Sequence, residues 1–295
     1  MYDVIIIGSG PAGISASLYT QRANLKTLII TKRAGTIDKV GKIENYYGFP
    51  EGITGKELSE NGIKQAKELG VTFIYDEVVN LEQVSKDEFT VETINSKYTA
   101  KTIILATGTA RQKPQIKGVK ELEGRGISYC ATCDAFFFRG KDVAILGSGE
   151  YAIHEAEELQ PIVNSITLLT NGEKLSENRS PILQKIKIEE KQVREFRGEN
   201  KIQEIAFEDA TTKNIDGVFI AIGTASSSDL ARKIGIRMNE SGRIIVNSKM
   251  ETNVKNVFAC GDCTEGMLQI AKAVYDGMVA GMTAIQVIRE KNKNI

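Results

Sequence analysis

Val4-Ile5-Ile6-Ile7-Gly8-Ser9-Gly10-Pro11-Ala12-Gly13 sets an apolar β-branched run directly against a glycine-rich turn, and residues 14–24 continue with helical spacing. A G-x-G-x-x-G pattern means little alone, but between a strand and a helix it describes a dinucleotide turn. Gly8 permits the tight bend, Gly10 lets a pyrophosphate approach the backbone, and Gly13 lets helix and strand pack closely. The helix N-terminus supplies N–H donors and the positive end of a dipole.

The same design recurs. Val143 begins a second apolar run, Gly147-Ser148-Gly149 turns, and a helix runs to about Leu159, where Pro161 stops it. Between the two units lie a helix from about Gly55 to Gly70, alternating strands from Val71 to Tyr98, and an apolar strand from Thr102 to Ala106. Further strands are expected near 166–169, 217–222 and 257–259, and a long helix from about Gln269 to Arg289. Strands alternating with helices predict an α/β fold of parallel, doubly wound sheets. We expect two Rossmann-like nucleotide-binding domains, the second inserted in the first. Residues 1–113 and 245–295 would form the outer domain, and 114–244 the inserted NAD(P)H-like one, which carries the motif Cys130-Ala131-Thr132-Cys133-Asp134.

The 295 residues, 41% of them hydrophobic, suffice for two cores. Lys plus Arg (38) balances Asp plus Glu (38), so the overall field gives no reason to expect nucleic acid or an anionic membrane as partner. The first residues show no signal peptide, and no apolar stretch approaches the roughly 20 residues of a bilayer span. A cytoplasmic protein is expected, and there closely spaced cysteines are catalytic or metal-binding more often than structural.

All four cysteines fall in C-x-x-C pairs, 130/133 and 260/263. The first has the spacing of a reversible disulfide, with the Asp134 carboxylate beside it as acid or base for thiol exchange. Together the pairs would also make a four-cysteine zinc site. Against zinc, the second pair brackets Gly261-Asp262, a strand-end element suited to the sugar-alcohol hydroxyls of FAD, which makes Cys260 and Cys263 small core residues beside that cofactor. No metal site is therefore expected. The only histidine, His154, reads as a surface helix residue. An acidic residue for the ribose is missing at the end of the second strand, where Thr31 takes its place.

GSGPAG at 8–13, IENYYGFP at 43–50, ATGT at 106–109, CATCD at 130–134, GSGEYA at 147–152 and GDC at 261–263 together resemble the low-molecular-weight thioredoxin reductases over nearly the whole chain. The resemblance implies FAD, a homodimer and a thioredoxin or thioredoxin-like substrate. It makes Cys133 the sulfur facing the flavin, Cys130 the sulfur attacking thioredoxin, and Asp134 the general acid/base. It also gives the cofactor Gly8, Ser9, Gly10, Pro11, Ala12, Gly13, Thr31, Asn45, Ala106, Thr107, Gly108, Gly261 and Asp262 (the last on the ribityl chain), with Gln269 and Ile270 near the ring.

One region departs from the family. Its NADPH enzymes carry arginines after the strand that follows the second glycine turn, where they grip the 2′-phosphate. Here that strand leads into Thr170-Asn171-Gly172-Glu173-Lys174-Leu175-Ser176, with no arginine at those positions and no acidic residue at the strand end to favour NADH. Tyr151 replaces a small residue, and its ring is expected to crowd the pyrophosphate space. Lys174 or Arg179 could substitute for the missing arginines, or NADH could bind loosely. The pattern otherwise resembles the ferredoxin-dependent flavin thioredoxin reductases, in which an iron–sulfur carrier replaces the nicotinamide. A ferredoxin–nicotinamide oxidoreductase would need no CATCD, and a flavin redox sensor would need an output domain.

Overall fold

The computed structural model describes residues 1–32, 36–108, 114–177 and 180–293. The chain divides into two compact units, Met1–Ala110 with Ser226–Ile295, and Arg111–Ala225. The return to the first unit falls at Ser226, against 245 in the sequence reading. The cause is a short helix, Ser227–Lys233, that the sequence analysis does not identify; Ser226 and Asp229 close a capping box at its start, and it packs on the first unit's strand Val78–Ser85.

In the first unit the strand order is Thr72–Tyr75, Thr27–Thr31, Tyr2–Ile7, Lys97–Leu105, Glu88–Thr93, Val78–Ser85. Tyr2–Ile7 lies parallel to both neighbours, with Ile6 opposite Ile29 and Ile104. Its continuous apolar run, with no alternation, is what a strand covered on both faces requires, and Val4 to Ile7 are buried. Val257–Ala259 adds a parallel strand against Ile103–Leu105. The alternating stretch from Val71 to Tyr98 becomes strands of mixed direction.

Pro at the first position of helix Pro11–Arg22 suits a residue whose missing N–H costs nothing there. This helix packs along the C-terminal helix Ile270–Lys293. A Cβ at Gly277 would lie 2.1 Å from Ala12 O, so small residues on both helices are a condition of their close approach.

The second unit is built on an all-parallel sheet ordered Lys187–Glu189, Ser165–Leu169, Asp142–Leu146, Gly217–Ile220, Ile127–Ser128. An antiparallel sheet of Val193–Arg197, Glu204–Phe207 and Thr212–Asn214 accompanies it. Helix Glu150–Leu159 buries Tyr151, Ala152, Glu155, Ala156 and Leu159 along the helical stripe expected of a core-facing surface, and Ile153 beside it. Among the described residues, no helix is long and apolar enough to cross a membrane.

Candidate active site

The first glycine turn is held where three segments meet. Gly8 has φ +108°, and a Cβ there would lie 2.3 Å from Ala106 O, so the end of the Lys97–Leu105 strand passes directly over the turn. A Cβ at Gly13 would lie 2.0 Å from Gly8 O, and one at Gly261 2.8 Å from the Ala12 side chain. Residues 8–13, 106–107 and 261, far apart in sequence, are thereby brought together. Gly10 differs: a Cβ there would meet nothing within 4 Å. The space above it is open, and no side chain caps the helix that Gly10 begins, so first-turn N–H groups face that space.

The flanking groups are polar. Ser9 Oγ and Thr31 Oγ1 are 2.8 Å apart, and Thr31 also donates to its neighbour's carbonyl, Lys32 O, at 3.0 Å. Thr107 Oγ1 is buried with no hydrogen-bond partner among the described residues. Asn45 Nδ2 donates to Gln269 Oε1 at 3.3 Å, joining two of the positions singled out in the sequence; Pro11, Gly108 and Ile270 occupy the edges of these same segments. Burial pushes the Asp262 carboxyl above its ordinary range, against the pull of Lys272 and Arg243. Sequence reasoning missed what fixes this turn: Gly261 N donates to Asp276 Oδ2 at 3.2 Å, and Lys272 Nζ donates to Gly261 O at 3.0 Å. A positive-φ turn under an open cradle, uncapped amides, an orphaned hydroxyl and a carboxylate at a strand end fit the phosphates and sugar hydroxyls of a dinucleotide.

Cys130 and Cys133 are joined as a disulfide, with Cα atoms 5.4 Å apart. Cys130 is 1% exposed, whereas the Cys133 residue is exposed. Ser128 Oγ donates to Asp134 Oδ2 at 2.6 Å, and the same oxygen accepts the Cys130 N–H at 3.1 Å. Cys260 and Cys263 are free and buried. Burial raises both thiols, that of Cys263 to about 12, so neither holds a thiolate near neutrality.

The second glycine turn corrects two expectations. Tyr151 does not crowd the turn; it is 0% exposed in the core beneath its helix. A helix places its second residue inward whatever its size if the sheet leaves room. His154 is not on the surface either: its side chain is 12% exposed, with Nε2 4.0 Å from Glu158 Oε1. The turn is instead covered by the segment that follows strand Ser165–Leu169. Ser176 N donates to Ser148 O at 2.8 Å, and Ser176 Oγ donates to the Glu150 carboxylate. Lys174 Nζ lies 2.8 Å from Glu177 Oε1, both side chains being exposed; Arg179 and Thr109 lie outside the described residues.

Residues 2–277 match the family model described as pyridine nucleotide-disulphide oxidoreductase. A thioredoxin reductase of Bacillus subtilis (strain 168) is 37% identical over 100% of this chain and 97% of its own length. The atypical thioredoxin reductase TRi of Desulfovibrio vulgaris Hildenborough is 37% identical, with TM-score 0.93 over 98% of this chain and 99% of that one. A ferredoxin-flavin thioredoxin reductase of Clostridium acetobutylicum is 31% identical, with TM-score 0.74 over 98% of both chains. With a family model matched over most of its length and relatives of this identity and coverage, the chain belongs to the low-molecular-weight thioredoxin reductases of the pyridine nucleotide-disulphide oxidoreductase family.

Proposed function

We propose that this protein is an FAD-dependent disulfide reductase that passes electron pairs through Cys130 and Cys133 to thioredoxin or a thioredoxin-like protein, takes its electrons from reduced ferredoxin, and works as a homodimer in the cytoplasm. FAD is the cofactor of the family's thioredoxin reductases. Residues 8–13, Thr31, Asn45, 106–108, Gly261, Asp262, Gln269 and Ile270 would hold it, the open space over Gly10 taking the pyrophosphate and Asp262 a ribityl hydroxyl. When bound, FAD supplies a carrier that is filled by single electrons and emptied by pairs.

The chain's own groups carry out the exchange. In the reduced pair, Cys130 as thiolate attacks the substrate disulfide, forming a mixed disulfide and releasing one substrate thiolate. Cys133 then attacks Cys130 Sγ, reforming the intramolecular disulfide and releasing the second substrate thiolate. Two electrons leave the pair, and Asp134, oriented by Ser128, delivers a proton to the departing sulfur. Because Cys130 is buried and Cys133 exposed, Cys130 has to be uncovered before the first step.

The observation that carries the choice of donor is the bond from Ser176 N to Ser148 O. Residues 170–176, where the family's NADPH enzymes carry phosphate-binding arginines, hold none, and their end closes onto the glycine turn, with the Glu150 carboxylate at the helix start where phosphates would otherwise be received. The Clostridium acetobutylicum relative, by name a ferredoxin-flavin enzyme, supports the same reading. The second reading, an NADPH or NADH enzyme, has Lys174 or Arg179 as its phosphate contact; Lys174 forms an exposed ion pair with Glu177.

Anaerobic thioredoxin reduction with reduced ferredoxin, NADPH and NADH, each in turn, tests the proposal. Turnover with ferredoxin alone is expected. Rapid bleaching of the flavin band by micromolar NADPH, with matching turnover, would overturn the choice of donor.

A further inference from the structure

Helix Glu150–Leu159 follows a turn that, on the reading above, no longer receives a nucleotide, yet its buried face is not simply apolar. Glu155 is 1% exposed, and its Oε2 accepts the Ala131 N–H at 2.6 Å. One turn earlier on the same face, the Tyr151 hydroxyl donates to Tyr129 O in a long 3.4 Å contact. The two side chains thus engage the peptide groups on either side of Cys130. Burying a carboxyl group is expensive unless hydrogen bonds satisfy it, and the Ala131 N–H supplies one at 2.6 Å. Asp134, the other acid close to the pair, is tied to Ser128.

We propose that Glu155 is a positioning residue that sets the redox poise of the Cys130–Cys133 pair. Its carboxylate fixes the Cys130–Ala131 peptide, beside the Cys130 sulfur that accepts the Cys133 N–H at 3.1 Å. A negative charge at this depth also disfavours a thiolate one residue away, since like charges raise an acid's pKa and the interior screens them poorly. Destabilising the thiolate destabilises the reduced pair, so Glu155 holds the pair toward the disulfide and makes it the stronger reductant once reduced. The inference rests on the pair being the redox centre, and the experiment separates failure of the one from failure of the other.

The holoenzyme is equilibrated with buffers of reduced and oxidised dithiothreitol, acid-quenched and alkylated, and the state of the peptide bearing Cys130 and Cys133 is read by mass. In this exchange dithiothreitol closes its own ring disulfide and gives two electrons and two protons to the protein pair, whose S–S bond breaks. Glu155→Gln keeps the size and an acceptor for Ala131 N but removes the charge. Its reduction equilibrium should move at least fivefold toward the dithiol, about 20 mV upward, and thiolate absorbance should appear at lower pH. A merely structural role would lower the melting temperature and leave the midpoint in place. A midpoint within twofold of wild type overturns the proposal, and a wild-type pair that does not titrate reversibly removes it together with the redox reading of the site. Should the variant fail to fold, amide exchange in the wild type decides. The Ala131 N–H is expected to exchange at least a hundredfold more slowly than in an unstructured peptide, and exchange at the peptide rate overturns the assignment.

Discussion

Ser128 Oγ stands 2.6 Å from Asp134 Oδ2 and donates to it, while accepting the Cys130 N–H at 3.1 Å. One hydroxyl thereby ties the proposed acid/base to the backbone of the proposed attacking cysteine. Replacing Asp134 by Asn should slow thioredoxin reduction by on the order of 10²–10⁴, the usual range for lost acid–base help. Ser128→Ala should cost roughly tenfold, as expected for removing one hydrogen bond to a charged group worth about 1.5 kcal/mol. Steady-state turnover measures both; an Asp134→Asn effect below about threefold, far under the usual range, would hand the role to water or another group.

Cys130→Ser and Cys133→Ser should each abolish turnover and leave the flavin bound, because the sulfurs do chemistry and are absent from the cradle around residues 8–13. Cys133→Ser should change the flavin spectrum more than Cys130→Ser. Near-normal turnover by either variant would defeat the assignment.

The first glycine turn offers a sharper separation of fold from cofactor. At Gly13 a Cβ would stand 2.0 Å from Gly8 O, so Gly13→Ala must displace backbone. At Gly10 the φ is −68°, open to any residue, and a Cβ meets no protein atom within 4 Å. Gly10→Ala should therefore fold with near wild-type circular dichroism yet lose flavin, while Gly13→Ala should lose both. Retention of a full complement of FAD by Gly10→Ala would mean that the pyrophosphate lies elsewhere.

Much of this site is legible in the sequence for a specific reason. Glycine turns and C-x-x-C spacings are local chemistry, and residues 8–13, 130–134 and 261–262 announce themselves without the fold. What stays hidden is chemistry that depends on which way a helix faces. Tyr151 looks like an obstruction when read along the chain, but the 3.6-residue period puts it with Ala152, Glu155, Ala156 and Leu159 on the buried stripe. The same period, applied strictly, would have singled out Glu155 as a carboxylate on an apolar face. Lys272 and Asp276 had no such signal, since their partner, Gly261, is a backbone group at the end of another strand.

Cys260 and Cys263 should be inert. With burial holding the Cys263 thiol near 12 and Cys260 well above its ordinary value, iodoacetamide at pH 8 should leave both unmodified in the native protein, while reduced Cys133 reacts. The same shifts have a stability sign. A thiol with an ordinary pKa of 9.0 when unfolded and about 12 when folded keeps its proton more tightly in the native state. Its contribution is complete below about 9 and declines as pH rises toward 12. Urea midpoints at increasing alkaline pH should fall less steeply in a Cys263→Ala variant than in wild type.

Poor use of NADPH should be a matter of affinity. A bidentate arginine–phosphate contact is charge-assisted, and hydrogen bonds to charged groups contribute about 1.5–3 kcal/mol each. Two missing contacts remove roughly 3–6 kcal/mol, or on the order of 10²–10⁴ in binding. Tyr151 adds nothing to this, because its ring is in the core. Glu150 does add to it, since a carboxylate in the first turn of a helix competes with a phosphate for the same donors, and its bond from Ser176 must break before the turn is free. Calorimetric titration of the oxidised enzyme should show no NADPH binding in the micromolar range. Glu150→Gln and Ser176→Ala should weaken the closure over the turn without restoring tight binding, because the arginines are still missing. Micromolar NADPH binding to the wild type would refute the argument at its first step and make Lys174 and Arg179 the first residues to test as the phosphate contact.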